Sequence, residues 1–62
     1  MKSVAMKVSQ IDGLRGTKDV SPWEDEFIGS VVERLTKNGN DSRCLSPKQV
    51  EVVERIWGKH FA

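Results

Sequence analysis

The sequence predicts an all-α chain: an antiparallel helical hairpin, with helices over residues 22–37 and 47–59, preceded by a mostly mobile N-terminal tail. Two helix starts recur in nearly the same words, Val20-Ser21-Pro22-Trp23-Glu24 and Leu45-Ser46-Pro47-Lys48-Gln49. Each opens a run of apolar residues at about the helical period. Between the two runs lies a polar stretch of ordinary loop length.

Residues 1–19 hold Gly13, Gly16 and the basic residues Lys2, Lys7, Arg15 and Lys18, against Asp12 and Asp19. Val4, Met6 and Val8 alternate with polar or small neighbours, a strand-like pattern too short to stand alone. The glycines and sparse apolar content favour a flexible basic tail, residues 1–19, attached to a hairpin domain, residues 20–62. The competing reading has Ile11 and Leu14 folding back to cover the helices.

In the first helix Ser21 occupies the N-cap, where its hydroxyl accepts an orphan backbone N–H. Pro22 follows at a position with no N–H to lose, and Glu24 sits where a capping-box carboxylate reaches back. Trp23, Phe27, Ile28, Val31, Val32 and Leu35 gather on one face, and Glu33 and Lys37 form a favourably ordered i,i+4 pair. Glu24, Asp25 and Glu26 complement the helix dipole, and Asn38-Gly39 tolerates the left-handed turn of a C-terminus. The second helix repeats the plan. Ser46 and Gln49 form the capping box, Leu45 and Val50 the hydrophobic staple, and Glu51 and Arg55 the i,i+4 pair. Val50, Val53, Ile56, Trp57 and Phe61 make its stripe. Gly58 weakens the last turn, so fraying near His60 is expected.

These stripes are wider than one partner helix covers. Either Val8, Ile11 and Leu14 complete a monomeric core, or a second protein chain does so; small helical domains commonly need such help, which favours the latter. A homodimer built as a four-helix bundle is the simplest closed arrangement. On this reading the protein-binding residues are Trp23, Phe27, Val31, Val53, Trp57 and Phe61, with Trp the strongest anchor.

Composition narrows the chemistry. Ten basic against nine acidic residues give a net charge of +1, which is not the strong positive field of a nonspecific nucleic-acid binder. One cysteine, Cys44, excludes an internal disulfide, and no apolar run approaches the ~18 residues that span a membrane. A cytoplasmic protein without a membrane partner is expected. Cys44 and His60 are too few to hold a structural metal, and Gly13-Leu14-Arg15-Gly16 is no phosphate-cradling motif. No cofactor, metal or catalytic residue is expected, and the chain is read as non-enzymatic. Nucleic acid is the alternative partner, through Arg43, Lys48, Gln49 and Arg55 with the basic tail. Against it, Glu51 and Glu54 oppose phosphate on the same helix, and Gln49 has a capping role.

The run Trp23-Glu24, Phe27 and Ser30, followed by Leu45-Ser46-Pro47-Lys48-Gln49 with Val53, Ile56 and Trp57, resembles a small helical-hairpin segment of phage and prophage proteins. That segment accompanies domains handling DNA in replication and recombination modules. The resemblance covers residues 20–61 and carries no catalytic residues. It implies a phage-type accessory protein that acts by binding a host or phage protein.

The two caps are directly testable. Ser21→Ala and Ser46→Ala should each lower stability by about 0.5–2 kcal/mol in urea unfolding. An unchanged midpoint for both would remove the capping argument.

Overall fold

Ser3 opens a helix where a tail was expected. Its hydroxyl accepts the Met6 N–H at 3.1 Å, capping α1, Val4–Asp12. The computed structural model describes residues 3–61, so Lys2 of the basic tail lies outside the described residues. Among those described, the regular structure is entirely helical: α1, then α2 (Pro22–Lys37), a 3-10 turn (Ser42–Cys44) and α3 (Pro47–Phe61). The all-α class therefore stands, but three helices do not make a simple hairpin with a tail.

The cause of that correction is burial. Val8 and Ile11 lie on one side of α1 and are sealed into the same core as Ile28, Val31 and Leu35 of α2 and Val53 and Ile56 of α3. Val4, Ala5 and Leu14 pack around them. The spacing Val4, Val8, Ile11 is helical, and over so few residues it is hidden by the alternation of Val4, Met6 and Val8. A nine-residue helix is marginal alone and needs such packing to persist. The reading in which N-terminal residues complete the core is the one realised.

The helices run up, down and up. Lys7 of α1 reaches Glu54 of α3, and Gln10 reaches Trp57, an equal step along both helices, so α1 and α3 are parallel. Ala5, Val8, Ser9 and Asp12 line one groove with Val32, Leu35, Thr36 and Asn40, while Arg15 beyond them meets Asp25 and Gly29. Hence α2 is antiparallel to α1. Arg34, late in α2, bonds to the Cys44 carbonyl just before α3, whereas Lys59 and His60 at the end of α3 act on Glu24 at the start of α2. The antiparallel course expected for α2 and α3 is kept. Yet α1 packs closely on both, and the α2 and α3 backbones approach each other little. The radius of gyration, 10.6 Å, equals the ~10.6 Å of a compact chain of this length.

The expected ends of α2 are reproduced. Glu24 N–H donates to the Ser21 hydroxyl at 3.2 Å, and Ser21 N–H donates to the Glu24 carboxylate at 2.8 Å. The same reciprocal pair joins Ser46 and Gln49 before α3. At the other end of α2, Gly39 (φ 65°) and Asn40 (φ 62°) are left-handed, and Asn40 N–H closes on the Leu35 carbonyl at 2.7 Å. Asn38 itself is the C-cap, outside the left-handed region. α3 runs to Phe61 rather than fraying near His60, and Phe61 stacks on Trp57 with ring centroids 6.3 Å apart.

A flexible tail and a core helix respond differently to truncation. Ile11→Ala should cost about 2–5 kcal/mol, a large share of the roughly 3–9 kcal/mol expected for a chain of this size. Thermal unfolding followed by circular dichroism should show a strongly lowered midpoint. An unchanged midpoint would mean that α1 contributes nothing to the core.

Candidate protein-binding site

The first turn of α2 is fixed by its capping box and by Pro22, and this rigid start carries Trp23 outward. Its side chain remains 61% exposed although the core beside it is closed. One turn later Phe27 stacks beneath it, with centroids 5.5 Å apart and planes inclined by 12°. Phe27 is half-buried against the core, so it anchors the indole from below. Such a pair presents a rigid apolar surface with little rotamer freedom left to lose on binding.

The other expected anchors divide. Val31 and Val53 are 0% exposed and cannot touch a partner; they are core residues facing α1. Trp57 turns inward. Its indole Nε1–H donates to Gln10 Oε1 at 2.6 Å, and the Lys7 ammonium lies 4.8 Å from the ring centroid. Lys7 also pairs with Glu54 at 2.5 Å, which ties the cation above the ring. Trp57 thus clasps α1 to α3. Phe61, stacked on Trp57, is 42% exposed and shares the end of the molecule where Lys59 and His60 approach Glu24. Trp23, Phe27 and Phe61 are the expected residues that the fold leaves available at that end.

The electrostatics there are mild. The Ser21 N–H bond holds the Glu24 carboxyl below its usual range, with Lys59 and His60 adding smaller effects. The His60 Nε2 is buried without a hydrogen-bond partner among the described residues.

The residues considered for nucleic acid are largely occupied. The Arg43 guanidinium makes a forked contact with the Asp41 carboxylate, its Nη2 at 2.7 Å and its Nε at 3.0 Å. Arg55 pairs with Glu51 at 3.3 Å, and Gln49 Oε1 accepts the Ser46 N–H. Lys48 is exposed beside an open hollow shared with Arg34, Cys44 and Leu45. Lys48 and Gln49 line that hollow together, while Arg43 and Arg55 are each held by a neighbouring carboxylate. Among the described residues no three His, Cys, Asp or Glu side chains form a metal-holding group, and no helix is long and apolar enough to cross a membrane.

Sequence reasoning placed Lys7 and Arg15 in a basic tail and gave no role to Gln10 or Arg34. Lys7 and Gln10 share a face at i,i+3, a signal that could have been followed once α1 was known to be helical. Arg15 closes the corner after α1: its guanidinium meets Asp25 at 3.7 Å, and the neighbouring Gly16 N–H donates to Asp25 at 2.7 Å. Gly16 takes φ 78°, a conformation that suits glycine. Comparison with protein-family models, curated proteins and solved structures gives no match to this chain.

The Asp41–Arg43 fork gives a measurable pH signature. Hydrogen bonds and charge from Arg43 hold the Asp41 carboxyl down to about 2, from an ordinary 3.8. A folded value below the unfolded one means that the contact supports the turn fully above pH ~4 and loses its effect as pH falls toward ~2. A side-chain carboxyl NMR titration should place the Asp41 midpoint near 2, and Arg43→Ala should raise it only part of the way toward the ordinary 3.8, because the backbone N–H of residue 43 still donates to Asp41. An ordinary midpoint in the wild type would show the fork to be open in solution.

Proposed function

We propose that this chain is a small, non-enzymatic helical module that acts by binding another protein chain through the exposed aromatic end of α2 and α3. One observation supports this above the others: an indole 61% exposed on a rigid helix start, stacked on Phe27 and outside an already closed core. A tryptophan left in water contributes little to folding, whereas in an interface it ranks among the residues whose truncation costs most. Phe61 extends the apolar area at the same end, and the flanking Glu24, Glu26, Lys59 and His60 supply a polar rim. Such a contact needs a partner surface with an indole-sized hollow. The resemblance of residues 20–61 to phage helical-hairpin segments supports reading this module as a phage-type accessory protein that modulates a host or phage protein in DNA metabolism.

The mechanism is occupancy: the module covers a patch on its partner and changes what that patch can do. Core residues Val31 and Val53 have no direct role in this contact, and Trp57 serves it only by holding the fold together.

Affinity capture with the immobilised full chain tests the proposal. Trp23→Ala should keep its helical circular dichroism and lose most partner binding, a cost of about 2 kcal/mol or more. Charge reversal at Arg43 and Lys48 should leave binding nearly intact, because rim charges chiefly tune association rate. Unchanged capture by Trp23→Ala, or loss confined to the charge-reversed variant with steep salt dependence, would overturn this reading and favour nucleic acid.

A further inference from the structure

We infer that the outer face of α2 is self-complementary, and that two copies of this chain pair antiparallel along it, each Trp23 seated in a trough on the other copy. The inference rests on the reading of Trp23 as a binding side chain and names its partner as a second copy.

Trp23, Glu26, Ser30, Glu33, Arg34 and Lys37 follow helical spacing, and all six are exposed. Two shapes lie on that side. At the start of the helix the indole stands out over Phe27. Toward its end, Ser30, Glu33, Arg34, Lys37 and Asn38 line a trough of about 380 Å³. Trp23 and Lys37, on the far rim of the hollow, are separated by 14 residues, or ~21 Å along the axis. A two-fold axis through Ser30 exchanges them. Trp23 of one copy then faces Lys37 of the other, and Glu26 faces Arg34.

Charge identifies the occupant. Glu26 is in no ion pair among the described residues, and Arg34 is in none either; its Nε donates to the Cys44 carbonyl at 3.3 Å, which holds the guanidinium in place. A uniformly basic partner would meet repulsion at Arg34 and Lys37, and a uniformly acidic one at Glu26. A second copy laid antiparallel satisfies both, twice over, which is the isologous condition. Lys37, already positioned by Glu33 at 3.1 Å, offers its cation to the incoming indole face. Ser30 at the axis is small enough for the two helices to approach closely. One helix face per copy is a small interface, so association on the order of 10–100 μM is expected.

Sedimentation velocity from ~1 μM to ~1 mM, on the full chain, tests the pairing. The wild type should shift from monomer to dimer with concentration. Glu26→Arg and Arg34→Glu should each weaken association by ~30-fold or more, with helicity unchanged. An equimolar mixture of those two variants should associate again, because the mixed pair regains opposite charges at both contacts. A wild type that stays monomeric throughout, or a mixture no tighter than either variant alone, overturns the inference. Trp23→Ala separates it from the broader reading. If the wild type is monomeric but Trp23→Ala still loses capture of a different protein, only the self-pairing falls. If a dimer persists undiminished in Trp23→Ala, the self-pairing falls, and the broader reading stands or falls by whether that variant loses capture of a different protein.

Discussion

The structure depends on the seating of α1 between the two longer helices. Val8 and Ile11 supply the apolar surface that α2 and α3 do not supply to one another. Around this contact stands a polar clasp: Lys7 lies over the Trp57 ring and pairs with Glu54, while Gln10 accepts the indole N–H. The apolar contact provides most of the free energy, because burial scales with the area removed from water. The clasp adds direction. A hydrogen bond and an ordered cation fix the rotation of α1 about its own axis, which apolar packing alone defines loosely.

This arrangement explains why one tryptophan faces inward and the other outward. Both lie on the apolar stripes of their helices, and both stack on a phenylalanine four residues later. The difference is what lies opposite. Trp57 meets α1 and finds a hydrogen-bond acceptor and a cation there. Trp23 sits in the first turn of α2, past the C-terminal end of α1, where the Arg15–Gly16 corner meets Asp25 and leaves the indole exposed. A side chain left outside a closed core is free for intermolecular contact, and that freedom underlies the function proposed for this chain.

Charge on α2 serves two purposes at once. Glu24 and Asp25 near its start and Arg34 and Lys37 near its end match the helix dipole, which stabilises the helix locally. The proposed pairing of two α2 faces draws on the same polarity. Helices with acidic starts and basic ends are common for local reasons. Here an exposed aromatic at one end and a trough at the other add shape to the charge pattern.

The sequence by itself determined the parts whose physics is local. Both Ser-Pro starts, the reciprocal capping bonds, the i,i+4 ion pairs and the span Pro22–Lys37 depend on neighbours within one turn, so the residue order specifies them. The antiparallel course of α2 and α3 follows from a short polar connection. Only the tertiary structure decided the state of residues 3–19, because Val8 and Ile11 become helical through burial against residues far along the chain. Tertiary structure likewise divided the apolar stripes into core and surface. Trp23, Val31, Val53 and Trp57 look equivalent on a helical wheel, yet their exposure depends on where α1 lies, and no local signal carries that position.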